Sequence, residues 1–219
     1  MVKIERSFPA PASLEIMKKK NRWDYTAKDL TERLQSDFHD KCYICGLKEL
    51  QSPQIEHLRP HKNGKYPERK FDWNNLFWAC GHCNRIKNNN KYDEGIIDCC
   101  KYDPEPRLVF KLEDRKAYAY AQNKNDAEAV KTAELICETF NFYNTGIREC
   151  ESNAIYKKLT QQMDLLYIVL AEYAQNPGSK DIQNKLKALL RRESAFAAFK
   201  RNYIRDHLKK YPQLEVYLQ

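Results

Sequence analysis

The chain has 219 residues, 42% hydrophobic and 31% charged, with a net charge of +8. That length buries the core of one domain or one and a half, and no apolar run approaches the roughly 20 residues of a membrane helix. Met1-Val-Lys-Ile-Glu-Arg6 lacks a signal-peptide core, so the expected location is the cytoplasm, where eight cysteines read as metal ligands or idle thiols rather than disulfides.

The chain begins with an extended Phe8-Pro-Ala-Pro11 lead and a short helix. A second helix starts at Ala27 and continues to Phe38, with Leu30, Leu34 and Phe38 on one face. Trp23 and Tyr25 precede it and are expected to pack on it. Residues 39 to about 100 have few helical repeats and many Asn, Gly and Pro, which predicts a loop-rich segment. Leu108 to Leu112 and Ala117 to Ala121 alternate across Glu113-Asp114, which predicts a hairpin. Asn125 or Asp126 caps a helix reaching Phe140. Ile155, Leu159, Met163, Leu166, Leu170 and Tyr173 form the apolar stripe of a helix of about 20 residues. Asn176-Pro-Gly178 ends it, and a long helix from Asp181 carries Ile182, Leu186, Leu189, Leu190, Phe196, Phe199 and Tyr203. Two such helices across a short turn make an antiparallel hairpin.

Positive charge favours a polyanionic partner, and its distribution is uneven. Nine Lys/Arg lie between Lys185 and Lys210, against Glu193 and Asp206 alone. A second cluster is Arg59, Lys62, Lys65, Arg69 and Lys70. A third is Lys18 to Lys20 with Arg22.

The chemistry concentrates in the loop-rich segment. Cys42-Tyr-Ile-Cys45 and Cys80-Gly-His-Cys83 are two CxxC pairs, each spanning two corners of a zinc tetrahedron. The 34 residues between them exceed a compact zinc ribbon and carry Glu56-His57 and Asn75-Leu76; Asn84 follows the last cysteine. Phosphodiester hydrolysis needs a proton acceptor for water, which a neutral imidazole supplies near pH 7, and a cation beside the phosphate. His82, inside the second knuckle, is expected to be a bystander. His61 reads as a loop residue, and His39 and His207 as surface residues. Phe71, Trp73, Phe77 and Trp78 are expected to be packing rather than base-stacking groups. Cys99, Cys100, Cys137 and Cys150 have no metal spacing.

Cys42-x-x-Cys45, Glu56-His57, Asn75-Leu76 and Cys80-x-x-Cys83-Asn84-x-x-Lys87 together resemble the HNH endonuclease motif in its four-cysteine, ββα-metal form. The resemblance covers about residues 40 to 92. It implies that Glu56 is a metal ligand, His57 the general base, and Asn75 the residue that holds the hairpin loop and orients the imidazole through a backbone contact. Asn84 becomes a second ligand, with Asn88 one turn further along the same helix. Where many family members have His, this chain has Asn84, and an oxygen-only ligand set favours Mg²⁺ or Mn²⁺ over a second zinc. Arg59, Lys62 and Lys87 are candidate phosphate contacts.

A wider resemblance joins Arg6-Ser-Phe-Pro-Ala-Pro11, His57-Leu-Arg-Pro-His-Lys-Asn-Gly-Lys-Tyr66, Phe71-Asp-Trp-Asn-Asn-Leu-Phe-Trp78 and Lys91-Tyr-Asp-Glu-Gly-Ile96. These stretches are similar to the PtuB-type HNH proteins of bacterial Septu and retron anti-phage systems. That likeness implies a PtuA-like ATPase partner, a retron reverse transcriptase and msDNA assembly in some contexts, and a docking role for the C-terminal helices.

The expected architecture is α+β, with a zinc-stapled ββα-metal module embedded in a mainly helical framework that ends in a helical hairpin. The expected division is a lead with helices over 1–38, the nuclease module over 39–100, a hairpin over 101–124 and a helical region over 125–219. The expected substrate is nucleic acid, DNA or RNA. The rival reading is a non-catalytic zinc-containing subunit that binds nucleic acid or assembles a complex.

Overall fold

The structure is a computed structural model and describes residues 1–21, 25–88, 90–142 and 145–219. Arg22 of the third basic cluster and Trp23 lie outside the described residues. The elements in chain order are α1 (Ala12–Lys20), α2 (Lys28–Asp37), β1 (Pro53–His57), β2 (Leu76–Cys80), α3 (Gly81–Lys87), β3 (Leu108–Glu113), β4 (Lys116–Ala121), α4 (Ala127–Asn141), α5 (Gly146–Gln175), α6 (Lys180–Leu190) and α7 (Ala197–Asp206). Helices and two separate two-stranded antiparallel sheets make the fold α+β. None of the described helices is long and apolar enough to cross a membrane.

In the first sheet His57 pairs with Leu76, and Pro53 with Cys80. The strand bearing Glu56-His57 therefore lies beside the strand that runs directly into α3. β2 is buried along its whole length, as expected of Leu-Phe-Trp-Ala-Cys between a partner strand and α2. Leu30, Leu34 and Phe38 are fully buried, and Phe38 meets Phe77 edge-on. Trp73, Phe77 and Trp78 are core residues.

In the second sheet Glu113 pairs with Lys116. The two-residue turn is thus Asp114-Arg115, both with positive φ, one position later than the expected turn. Positive φ at both central residues matches the right-handed twist of the flanking strands. The hairpin packs on α4, whose N-cap is Asp126, accepting from Ala129 N.

The C-terminal region departs from expectation in two ways. α5 is 30 residues long, because Thr145 caps it and the helix begins nine residues before the apolar stripe. Lys185 of α6 reaches Glu172 of α5, so the two run antiparallel across the Pro177-Gly178 turn. The expected single helix from Asp181 is in fact two, broken at residues 191–196. Phe196 adopts φ 51° and donates its N–H to Gly46 O at 2.9 Å. A side chain at Gly46, itself at φ +81°, would approach Phe196 Cα to 3.1 Å. The break therefore seats α7 on the first cysteine knuckle.

The basic cluster of residues 185 to 210 is partly internal. Lys200 and Arg201 are buried, and Arg192, Arg201 and Arg205 all converge on Glu105. Arg201 uses all five N–H donors: Nε and Nη2 meet the Glu105 carboxylate, and Nη1 and Nη2 also meet the carbonyls of Leu190, Tyr217 and Leu218. A buried guanidinium persists only when so satisfied.

Candidate active site and zinc staple

Cys42, Cys45, Cys80 and Cys83 are buried, and their Sγ atoms all lie within 4.8 Å of one another. Zinc–thiolate bonds of about 2.3 Å place tetrahedral sulfurs about 3.8 Å apart, and Cys45 Sγ lies 4.0 Å from Cys80 Sγ. Leu47 N donates to Cys45 Sγ and Cys83 N to Cys80 Sγ, each at 3.4 Å. Backbone donors of this kind stabilise thiolates. The four cysteines fit a structural zinc.

The first knuckle precedes β1 and the second ends β2 and opens α3, so one ion would tie the hairpin to the helix. His82 does not face the cysteine cluster's centre. Its Nδ1 lies 2.9 Å from Glu151 Oε2 and its Nε2 2.9 Å from Thr139 O. It pins α3 to α4 and α5, a structural task that CxxC spacing did not reveal.

Of the expected site residues, Glu56, His57, Asn84, Asn88 and Lys62 meet in one open cleft of about 290 Å³, which Ile55, Pro60, His61 and Asn63 also line. Asn84 is half-buried on α3, and Asn88 at its C-terminus lies 3.5 Å from it, Nδ2 to Oδ1. Lys62 is at the rim; Arg59 lines a separate groove with Arg69 and Asn75.

His57 is half-buried, and burial lowers its pKa below the ordinary histidine value; the bond to Lys70 O opposes this, while His61, Lys87 and Lys70 add positive fields in the lowering direction. The imidazole is therefore neutral at pH 7. Its Nε2 lies 3.0 Å from Lys70 O and 3.1 Å from Tyr25 Oη. Asn75 staples the loop beyond β1. Its Oδ1 accepts from Arg59 N at 2.8 Å, and its Nδ2 donates to Arg59 O and Arg69 O at 2.9 and 2.8 Å. Asn75 so fixes the peptide preceding Lys70, whose carbonyl meets His57.

Glu56 and Lys87 form a buried pair. Oε2 lies 3.1 Å from Lys87 Nζ, each side chain is 3% exposed, and the Tyr43 hydroxyl donates to Oε1. Burial raises the Glu56 pKa, opposed first by the Lys87 charge. Lys87 also donates to His57 O at 2.9 Å. Lys87, expected towards phosphate, thus faces inward as the counter-ion of the expected metal ligand.

The other basic residues of the loop are paired too. Lys62 lies 2.7 Å from Asp93, and Arg59 and Arg69 both reach Glu94, at 3.8 and 2.5 Å. The acidic Asp93-Glu94 step was not singled out in the sequence, and neither were Tyr25 or Tyr43 as site residues.

Residues 42–90 match the family model described as HNH endonuclease. The match spans both knuckles, β1, β2 and α3, and it supports placing this module in the HNH endonuclease family. No curated protein matches the chain.

Proposed function

We propose that the protein is a divalent-metal-dependent HNH endonuclease hydrolysing phosphodiester bonds of nucleic acid. The observation that carries the reading is the cleft that gathers His57, Glu56, Asn84 and Asn88 within the residues matched to that family. His57 is the general base. Held neutral and anchored through Nε2, it takes a proton from the attacking water. Asn75 keeps the loop that carries this anchor in place. A carboxylate and two amide oxygens are the donor chemistry of Mg²⁺ or Mn²⁺, so Glu56, Asn84 and Asn88 would hold such an ion. When bound, it supplies positive charge for the scissile phosphate and leaving oxygen. Each carboxylate oxygen has two lone pairs, so Glu56 retains acceptor capacity beside Tyr43 and Lys87. Arg59 and Lys62 are the phosphate-contact candidates, once released from Glu94 and Asp93; Lys87 serves the site as a fixed charge behind Glu56.

The four stretches similar to PtuB-type proteins support a role as effector of a bacterial, cytoplasmic anti-phage system, Septu or retron. In that reading the helices beyond residue 125 dock a PtuA-like ATPase, and a reverse transcriptase and its msDNA join in the retron case. The neighbouring genes test it: an ATPase gene beside this one is expected, and its absence removes the reading.

The rival of a non-catalytic binding subunit draws on the Glu56–Lys87 pair, which already neutralises the carboxylate. One experiment separates them. Purified chain is incubated with plasmid DNA and with RNA, in Mg²⁺ or Mn²⁺ and then EDTA, beside His57→Ala. Cleavage that requires metal and disappears in His57→Ala, with fold and zinc content retained, is expected. An undiminished rate in His57→Ala refutes the mechanism, and binding without products favours the rival.

A further inference from the structure

Tyr25 lies outside residues 42–90 and does not line the catalytic cleft, yet its hydroxyl reaches the imidazole of His57. We propose that Tyr25 is a positioning residue that fixes the tautomer and direction of His57. The inference rests on the reading of His57 as general base, and it adds a residue that reading does not contain.

The argument is an inventory of donors and acceptors. A phenol has one proton, and Tyr25 Oη directs it to Lys70 O at 2.6 Å. Towards His57 Nε2, 3.1 Å away, the same oxygen can only accept. Among the described residues the other neighbour of Nε2 is Lys70 O at 3.0 Å, also an acceptor. Both groups facing Nε2 thus demand a proton there. A neutral imidazole carries one N–H, so Nδ1 keeps the lone pair.

Tyr25, Lys70 O and His57 Nε2 close a triangle in which the tyrosine supports the ring twice. It accepts from Nε2 directly, and its bond to the Lys70 carbonyl holds the second acceptor in place. The rings of Tyr25 and His57 meet edge-on at 5.5 Å, and Tyr25 also meets Phe71 at 6.3 Å. Lys70 Nζ donates to Asn21 Oδ1 at 2.7 Å, so a second residue from the N-terminal segment holds the same stretch. Burial pushes the Tyr25 pKa up to about 12, which keeps the phenol protonated throughout the working range. His61 meets the His57 ring at 5.1 Å, edge-on. Among the described residues Lys70 and Lys87 also act on the imidazole by their charge.

Removing the hydroxyl takes one acceptor from Nε2–H. The Nε2–H then lacks the oxygen that holds it towards Tyr25. The ring also gains freedom to turn or to exchange tautomer, which reduces kcat.

The test uses the full chain with zinc, as wild type and as Tyr25→Phe, with His57→Gln to assign the His57 ring signals. Ring ¹⁵N spectra near neutral pH report the tautomer without any substrate. Wild type is expected to show the Nε2-protonated tautomer, and Tyr25→Phe a mixture of the two. Cleavage of plasmid DNA in Mn²⁺ is expected to lose about tenfold in kcat with KM unchanged, the scale typical of lost support behind a functional histidine. An identical tautomer in Tyr25→Phe would overturn the proposal. Persistent cleavage by His57→Gln would instead remove the general-base reading, and the ring spectra would still decide whether Tyr25 sets the tautomer.

Discussion

Lys87→Met is the perturbation that tests the centre of the site most directly. Methionine matches the length of the lysine stem but deletes the ammonium that faces Glu56 at 3.1 Å. Both side chains are 3% exposed, so solvent does not replace the missing charge. Breaking a buried pair by removing one partner costs about 3–5 kcal/mol. At about 2–4 °C per kcal/mol for a chain of this size, the melting temperature should fall by roughly 6–20 °C near neutral pH. The sign of its pH dependence follows from Glu56, whose folded-state pKa already lies above its ordinary value through burial. Loss of Lys87 raises it further. Between the unfolded and folded values the folded state binds more protons, so stability falls as pH rises through that window. The deficit should therefore be largest at pH 8 and shrink towards pH 5. Glu56 without its lysine should also take a divalent ion more readily. Mn²⁺ at 100 times its Kd would return about 2.7 kcal/mol, and Lys87→Met/Glu56→Gln should lose that gain. Melting curves by circular dichroism at the two pH values, with and without Mn²⁺, give all four numbers. A deficit independent of pH, or equal Mn²⁺ shifts in the single and double variants, would refute the reasoning.

The acid limb of the pH–rate profile should lie below the ordinary histidine value, because burial lowers the His57 pKa; an acid limb above pH 7 in steady-state cleavage would contradict it. Asp93→Asn with Glu94→Gln should raise nucleic-acid affinity up to about tenfold at low salt, since Lys62, Arg59 and Arg69 are then released for phosphate. Filter binding against salt concentration would show a steeper slope, and an unchanged slope would mean these cations do not meet phosphate. Cys80→Ser should lower zinc content and unfold the module cooperatively, because ligand binding and folding are coupled in such sites; a folded, zinc-free variant by mass spectrometry and circular dichroism would count against the staple.

The legible parts of this chain are the local ones. The cysteine spacing, the Glu56-His57 step and the Asn75 and Asn84 positions sit within one short stretch, and their resemblance to the HNH motif implies a hairpin and a helix there. The apolar periods of α2 and α5 and the Pro177-Gly178 turn were equally plain. What stayed hidden is set by contacts between distant residues. The break between α6 and α7 falls at Arg191-Arg-Glu-Ser194, without Pro or Gly, and is imposed by Gly46 against Phe196 and by Arg201 on Glu105. Tyr25 carries no motif, and it joins the site only because the chain folds back over 32 residues. The inward turn of Lys87 depends on burial, which a helical position one turn from Asn84 does not disclose.

The seat of Phe196 on Gly46 has a consequence for anyone wishing to transplant the catalytic unit. Kinship and cooperativity have different borders here. The stretch shared with HNH endonucleases ends at residue 90, but Phe38 supplies its floor, Thr139 and Glu151 grip His82, and Phe196 bonds its first knuckle. Excised at 42 and 90, the module would leave Phe77 and His82 facing water where they now face partners. A portable version would need redesigned surfaces at both places, so the chain's helices are part of the minimal folded unit rather than an accessory to it.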